Sequence, residues 1–290
     1  MNIDALKSFV LLAENKSFTK TAELQYVVQA TISNRINELE KLVGKELFIR
    51  DNKNVTLTNA GKTFLPYAKR ILMLRKEGIV KARSTELYDD RLSIGTVDSI
   101  YDGIISPMIK DYFSKFPNIA VKLKLNHSED IVRHLADEIL DVGFVDFKPK
   151  LFKVKSKYIA DDEIVLVASN KNRFYTKEEI LSRDLVELPL LYANLGEEFF
   201  SWLSEQLGDS PLLRLSVDQV SCVLDYVREG YGCAFVPKSK VSKELGEKEL
   251  IRIKIKDSTP PSKKIYMLIN KNRKDSLAVQ HWMDLFKKRI

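Results

Sequence analysis

The stretch SFTKTAELQYVVQATISNRINELEKLVGKELFIR, residues 17–50, sets the fold of the first part of the chain. Its pattern predicts a short helix over Phe18–Leu24, a break at QYV, and a longer helix over Val28–Leu42. Ser17 precedes the first helix, where its hydroxyl is able to accept a hydrogen bond from a free first-turn N–H. Helices this short are marginal in isolation, so the pair needs further partners to close a core.

A third helix is predicted just upstream, in IDALKSFVLLAEN, residues 3–15. Its apolar residues recur at the i, i+3, i+4, i+7 spacing of one helix face. The two later helices carry a matching apolar face, so the three form one small bundle. The residues predicted to face this core are Leu6, Phe9, Val10, Ala13, Phe18, Ala22, Leu24, Ile32, Ile36, Leu39 and Leu42.

The opposite face of the longer helix is polar and almost free of acidic residues before Glu38. The major groove of DNA admits one helix, and amide, guanidinium and hydroxyl side chains read its base edges. A solvated amphipathic helix would show the same periodicity, so this pattern alone leaves both interpretations open. The polar residues are Gln29, Thr31, Ser33, Asn34, Arg35 and Asn37.

Two short runs rich in β-formers follow, LFIR at 47–50 and VTLT at 55–58, on either side of the turn composition DNKN. A helix-turn-helix followed by a hairpin is a winged helix. Arg50 and Lys53 lie where a wing is able to reach phosphate or the minor groove.

Residues 6–65 resemble the DNA-binding domain of LysR-type transcriptional regulators. The shared positions are Phe9, Ser17, Phe18, Thr19, Ala22, Leu24, Gln29, Ser33, Ile36, Leu39, Glu40, Gly44, Leu47, Phe48, Arg50, Leu57, Thr58, Ala60 and Gly61. The resemblance implies binding to double-stranded DNA. The residues expected to contact DNA are Thr19, Gln29, Thr31, Ser33, Asn34, Arg35, Arg50 and Lys53.

The chain departs from the family pattern at three places. Thr21-Ala22 stands where the family has two alanines, and Ala30 stands where it often has Pro or Ser. Val28 replaces the family Ser that caps the recognition helix and meets a phosphate. Valine does neither through its side chain, whereas free backbone N–H groups at the helix start still bind phosphate.

A long helix is predicted from its N-cap Thr58, with Pro66 predicting a bend. A helix between two domains has little core of its own to cover, so a partner helix is expected to bury its apolar stripe. The resemblance identifies it as the linker helix that pairs two protomers and implies a homotetramer, a dimer of dimers. The stripe comprises Phe64, Tyr67, Ala68, Ile71, Leu72, Leu74, Ile79 and Ala82.

From Leu92 onward, strand and helix patterns alternate, which predicts an α/β fold with open sheets. This part resembles the two-lobed effector domain of the same family, which is similar to periplasmic binding proteins. The predicted domains are a winged helix-turn-helix (1–58), a linker helix (59–88) and an effector domain (89–290). Lobe I would span about 92–161 and 266–290, and lobe II about 162–265, with a cleft between them.

Ser99 and Ser128 each follow a predicted strand and precede a helix. The family often places hydroxyl residues at both points, where they hold a carboxylate or similar anion with nearby N–H groups. Simple helix caps remain the alternative for both serines, and a surface position for His127. The equivalent loops of the second lobe are YANLG at 192–196 and VDQVSC at 217–222. The expected effector contacts are Ser99, Ser128, His127, Asn194, Gln219 and Ser221.

Charge and apolar content limit the class of protein. Residues 1–91 carry a net charge of +5 and the rest +2, which weakly favours a polyanionic partner for the first part. No apolar run approaches the ~18–20 residues that span a bilayer. Asp4 and Lys7 interrupt any apolar signal region, so a cytoplasmic location is expected. Cys222 and Cys233 fit a reducing compartment.

No motif supports catalysis. The histidines His127, His134 and His281 lack zinc spacing, and GxxxxGK[ST] and GxSxG are both missing from the sequence. Cys222 has no assigned base and is predicted to be buried. We therefore expect neither metal nor cofactor. A solute-binding protein would explain only the second part of the chain.

The sequence predicts a LysR-type regulator whose operator binding or activation is controlled by a small anionic effector. By resemblance, RNA polymerase is a further partner.

Overall fold

The computed structural model describes residues 2–50, 55–84, 88–171, 178–208 and 213–287 of the chain. The chain divides into two compact units, Met1–Arg83 and Ser84–Ile290. Within these ranges, the buried apolar residues form one hydrophobic core in the first unit and two in the second.

The first unit is a helical bundle with a small hairpin. Its elements are α1 (Ile3–Asn15), α2 (Phe18–Gln25), α3 (Gln29–Val43), β1 (Phe48–Arg50), β2 (Val55–Leu57) and α4 (Asn59–Ser84). The two strands pair antiparallel, as predicted for a wing. Ser17 caps α2 by accepting a hydrogen bond from Lys20 N, and Thr58 accepts one from Gly61 N at the start of α4. Both predicted caps are confirmed.

Leu24 does not lie in the core of this unit. The sequence predicts it to be buried, but half of its surface is exposed, and α2 buries Thr21 and Ala22 instead. The reason is the helix period. At 3.6 residues per turn, a residue two positions after Ala22 lies on nearly the opposite face, whereas Gln25 comes back toward the core. Leu42, at the end of α3, is exposed as well.

The first half of α4 packs on the core of its own unit. Ala68 is fully buried, and Phe64, Ile71 and Leu72 pack against the same cluster. The expectation that this helix covers little of its own core is therefore wrong for its first half. The helix runs through Pro66. Its large apolar side chains that stay exposed are Tyr67, Leu74, Ile79 and Val80, and Ala82 of the predicted stripe is exposed as well.

The second unit consists of two lobes, each built on one sheet. Up to the first crossing its elements are β3 (Asp90–Thr96), α5 (Asp98–Ile100), α6 (Ser106–Lys115), β4 (Ile119–Leu125), α7 (Ser128–Ala136), β5 (Val142–Val145) and β6 (Val154–Asp162). The second lobe holds β7 (Ile164–Ser169), β8 (Glu179–Ile180), β9 (Leu190–Ala193), α8 (Glu197–Leu207), β10 (Leu215–Val217), α9 (Val220–Arg228), β11 (Cys233–Pro237), α10 (Lys238–Gly246) and β12 (Leu250–Ile255). The chain then returns to the first lobe as β13 (Lys263–Asn270) and α11 (Leu277–Lys287).

Both sheets are open and mixed, which confirms the α/β prediction. The first has the order β4-β3-β5-β13-β6, and the second β10-β9-β11-β7-β12-β8. In the first, β3 is parallel to β4 and β5; in the second, β9 is parallel to β10 and β11. Parallel strands end at the same edge of their sheet, so the loops after β3, β4 and β5 meet there. A π-helical turn, Tyr101–Ile105, joins α5 to α6 along this side of the first lobe.

Candidate DNA-binding surface and inter-lobe site

Helix α3, the predicted recognition helix, begins without a side-chain cap. Val28 takes the N-cap position in an extended conformation and makes no capping hydrogen bond. Its side chain is 70% exposed. This is what a valine in place of serine implies, since it has no acceptor for the first-turn N–H groups. The start of α3 is consequently open to solvent.

Thr19 and Gln29 lie together on one surface of the first unit. Thr19 Oγ1, in the first turn of α2, donates a hydrogen bond to Gln29 Oε1, 3.3 Å away at the start of α3. Asn34 is exposed on α3, and Thr31 and Ser33 are partly exposed. The structure thus brings five of the residues predicted to contact DNA to the accessible part of α3 and the turn of α2 beside it.

Arg35 has internal partners instead. Its guanidinium donates to Gln25 Oε1 at 2.8 Å and to Ser8 Oγ at 3.5 Å, and lies 3.8 Å from the Asp4 carboxylate. Only 21% of its side chain is exposed. Of the two remaining predicted contacts, the Arg50 backbone belongs to β1, whereas the Arg50 side chain and Lys53 lie outside the described part of the chain.

Ser99 and Ser128 are buried side chains and not helix caps. Val97 and His127 hold the N-cap positions of α5 and α7, so the plain-cap interpretation of the two serines is wrong. Ser128 Oγ donates to Asp146 Oδ1 at 2.6 Å, just after β5. Ser99 makes no side-chain hydrogen bond within the described part of the chain.

Asp146 is held by a buried lysine that also reaches the other lobe. Lys263 Nζ lies 2.9 Å from Asp146 Oδ2 and 3.4 Å from the backbone oxygen of Leu195, which follows β9. The lysine side chain is 7% exposed. Burial alone would raise the pKa of Asp146, but the charge of Lys263 and the bond from Ser128 outweigh it and lower that pKa.

A second contact between the lobes joins the start of α5 to the start of α9. Ser221 donates from its backbone N to Asp98 Oδ2 at 2.9 Å and from Oγ to Asp98 Oδ1 at 2.6 Å. Lys240, on α10, places its Nζ 3.4 Å from Asp98 Oδ2, 3.0 Å from the Asp98 carbonyl and 2.5 Å from Asp102. Its side chain is only 2% exposed. Burial would raise the pKa of Asp98, yet the bonds from Ser221 and the charge of Lys240 lower it.

Beside the crossing strands the lobes touch directly. Ser239 donates from its backbone N and its hydroxyl to Asp162 at the end of β6. Burial raises the pKa of Asp162 in spite of these bonds. Gly103, in the π turn, packs so closely on Ser239 that an added Cβ would lie 2.4 Å from its Oγ.

The other predicted effector contacts are exposed. Asn194 Oδ1 accepts from Gly196 N, and Gln219 precedes α9, where its Oε1 accepts weakly from Cys222 Sγ at 3.9 Å. His127 is exposed at the start of α7. Cys222 is exposed, although the sequence predicts it to be buried. The buried cysteine is Cys233, and burial raises the pKa of its thiol to about 12.

Sequence reasoning missed Asp98, Lys240 and Lys263. Each is an ordinary surface residue type with no motif around it. Within the described ranges, no group of three or more His, Cys, Asp or Glu is placed to hold a metal ion, and no helix is long and apolar enough to cross a membrane.

Two family models cover almost the whole chain. Residues 3–62 match the model described as bacterial regulatory helix-turn-helix protein, lysR family, and residues 86–290 match the LysR substrate binding domain.

Curated relatives and solved structures agree with these matches. The HTH-type transcriptional regulator CitR of Bacillus subtilis is 28% identical over 256 residues, covering 87% of this chain and 88% of CitR. YofA of Bacillus velezensis, also an HTH-type transcriptional regulator, is 28% identical over 240 residues, 81% of each chain. The crystal structure of CbnR, a LysR family transcriptional regulator, superposes with a TM-score of 0.74 at 21% identity over 99% of both chains. CbnR in complex with its target DNA gives a TM-score of 0.73 at 20% identity, again over 99% of both chains.

Proposed function

The chain belongs to the LysR family of transcriptional regulators, and we propose that a small anionic effector bound between its two lobes controls its action on DNA. As a member of this family it is a DNA-binding transcriptional regulator with an effector-binding domain, and it is not an enzyme. The match of residues 3–62 to a DNA-binding family model removes the solute-binding protein alternative.

The pair of buried lysines between the lobes is the observation that carries the proposal of an anionic effector. Lys240 and Lys263 have side chains that are 2% and 7% exposed. Lys240, on the second lobe, has its polar partners Asp98 and Asp102 in the first lobe, whereas Lys263 has partners in both lobes. A buried ammonium is costly unless a negative group accompanies it. Both lysines are paired with carboxylates of the protein, so an anion that takes the place of one of these carboxylates gains a charge partner and the serine donors beside it. A neutral ligand gains only the hydrogen bonds.

On DNA we assign the reading of base edges to Gln29, Ser33 and Asn34, with Thr19 and Thr31 beside them. Their exposure on one surface of α2 and α3 supports this assignment. Arg50 and Lys53 are assigned to the phosphate backbone through the wing. Arg35 is assigned a supporting role, because its guanidinium is engaged by Gln25 and Ser8.

For the assembly we propose a dimer formed through α4, and a dimer of dimers overall. Tyr67 and Leu74 are apolar residues of α4 that stay exposed, whereas Phe64, Ala68, Ile71 and Leu72 of the same helix pack on the core of their own unit. Burial against a second copy of α4 would remove this surface from water. RNA polymerase is proposed as the partner through which bound protein changes transcription.

The test uses the full chain and DNA taken from upstream of its own gene. Binding is measured by footprinting with a panel of small carboxylates and, for each acid, its neutral amide. We expect at least one acid to change affinity or footprint length while its amide does not. Amides that act as strongly as the acids would exclude an anionic effector, and a panel of neutral metabolites would then be the next screen.

A further inference from the structure

The Asp98 carboxylate occupies a complete carboxylate-binding site on the second lobe. Its two oxygens accept from Ser221 N and Ser221 Oγ, and Lys240 supplies the positive charge. Ser221 is the second residue of α9, so its N–H is one of the first-turn donors that have no partner within the helix. All three donors come from the second lobe, and the acceptor comes from the first.

The two charged groups of this site, Lys240 and Asp98, differ in exposure. Lys240 is buried on α10, and Ser221 begins the nine-residue helix α9. Asp98 begins α5, which continues through the π turn into α6, and its side chain is 15% exposed. The carboxylate is therefore more accessible to solvent than the ammonium that it pairs with. Ser99, next to Asp98, has its hydroxyl uncommitted to any described residue.

Removal of the Asp98 carboxylate does not leave Lys240 alone. Asp102 Oδ2 lies 2.5 Å from the same Nζ and belongs to the same lobe as Asp98. The two donors of Ser221 would, however, lose both of their partners at once. Unpaired donors of a partly buried group carry a desolvation cost, which a new carboxylate would remove.

Building on the proposed anionic effector, we propose that Asp98 is the resident occupant of the effector's carboxylate site. The effector's carboxylate binds Ser221 and Lys240 by displacing Asp98, and Asp98 holds the lobes together when the site has no other ligand. Because Asp98 is tethered, it competes at a high effective concentration, so an effector must gain affinity from further contacts in the cleft.

Chemical rescue of the full chain tests this inference with acetate as the probe. Asp98→Ala should lower the midpoint of thermal unfolding by about 2–4 °C. Acetate, compared with chloride at equal ionic strength, should restore the midpoint of this variant along a saturable curve. The parent should not respond, and Asp98→Ala/Ser221→Ala should not be rescued. Asp225→Ala is the matched control, since it removes an exposed carboxylate from α9 and should show no rescue.

A second variant covers the case in which Asp98→Ala does not fold. Asp98→Asn keeps an acceptor for Ser221 N–H but loses the charge. Saturation-transfer NMR should show acetate binding to Asp98→Asn roughly tenfold more tightly than to the parent.

Equal acetate binding by parent and variant, or rescue that survives Ser221→Ala, would overturn the inference. The proposed function is judged separately: acids that still control DNA binding in a variant without rescue would support it while refuting the role of Asp98. The reverse result is that acetate rescues Asp98→Ala but no acid affects DNA binding by the parent. That result would support Asp98 as the occupant of a carboxylate site and refute control by an anionic effector.

Discussion

Arg35 donates a hydrogen bond to the amide oxygen of Gln25 across 2.8 Å, joining the recognition helix α3 to the last residue of α2. Ser8 of α1 donates to the same oxygen at 3.1 Å. One amide oxygen therefore receives donors from two helices, and the three helices of the DNA-binding unit are connected through polar atoms as well as through their apolar core.

Loss of Arg35 should loosen the unit more than it changes base preference. Arg35→Ala leaves the Gln25 oxygen with one donor fewer in a partly buried site, a cost of about 1–3 kcal/mol. Amides of α2 and α3 should exchange hydrogen faster in mass-spectrometric measurements, and affinity should fall on specific and random DNA alike. Asn34→Ala, at the exposed neighbour, should leave exchange unchanged and alter the preference at one base pair by about 1–3 kcal/mol. Unchanged exchange in Arg35→Ala together with a new base preference would show that Arg35 reads DNA directly.

Replacing Val28 with serine should restore a helix cap. Val28→Ser supplies an oxygen for the free first-turn N–H groups of α3, worth about 0.5–2 kcal/mol. Hydrogen exchange at the start of α3 should slow, and affinity for random DNA should rise through a new phosphate contact. Ala30→Ser adds the same hydroxyl inside the helix and serves as the control. Equal effects of the two substitutions would argue against capping.

Gly103 should resist any side chain. An added Cβ would lie 2.4 Å from Ser239 Oγ and 2.9 Å from the Ser239 backbone oxygen, so Gly103→Ala forces the π turn away from α10. Overpacking of this kind costs about 1–3 kcal/mol. The thermal midpoint should drop accordingly. Gly246→Ala, at the end of α10 where a Cβ meets nothing within 4 Å, should be neutral or slightly stabilising. Equal midpoints for the two variants would mean that the lobes do not contact each other at Gly103 in solution.

The second half of α4 should carry the dimer interface. Leu74→Glu places a charge in the exposed apolar stripe, which should shift sedimentation at micromolar concentration toward smaller species. Lys76→Glu, two residues further along the helix, should leave the sedimentation coefficient of the parent unchanged. A parent protein that sediments as a monomer would refute the proposed assembly and leave the exposed stripe to another partner.

Acid should weaken the contacts between the lobes through Asp98 and Asp146. The folded-state pKa of each is lowered, so the stability each contributes is present above its unfolded pKa of about 3.9 and is lost as the pH falls through the folded value. Asp146→Asn should therefore be destabilised at pH 7, where it removes the carboxylate paired with Lys263, and should approach the parent as the pH falls below about 3.9 and through the lowered folded-state pKa of Asp146. Urea midpoints across this range measure the difference. A difference from the parent that is independent of pH would contradict the charge-based account. Asp225→Asn, at an exposed site, provides the baseline.

Short-range patterns predicted most of the first unit. Caps such as Ser17 and Thr58, the apolar period of α1 and α3, and the turn composition between β1 and β2 all act within a few residues, so they can be recognised without a fold. The prediction for Leu24 is wrong because the short helix α2 offers only two turns, too few to fix which face is buried.

The sequence by itself determined the family, the order of the domains and the polar face of α3, since each depends on residues close together in the chain. The tertiary structure alone decided which charges meet. Asp98 finds Ser221 and Lys240 at separations of 123 and 142 positions, and Arg35 turns toward Gln25 and Ser8 although it shares a helix with exposed Asn34. A buried charge is stable only beside an opposite charge or a polar group, and packing of the chain determines which of these lies close enough. Residues near it in the sequence do not specify that partner.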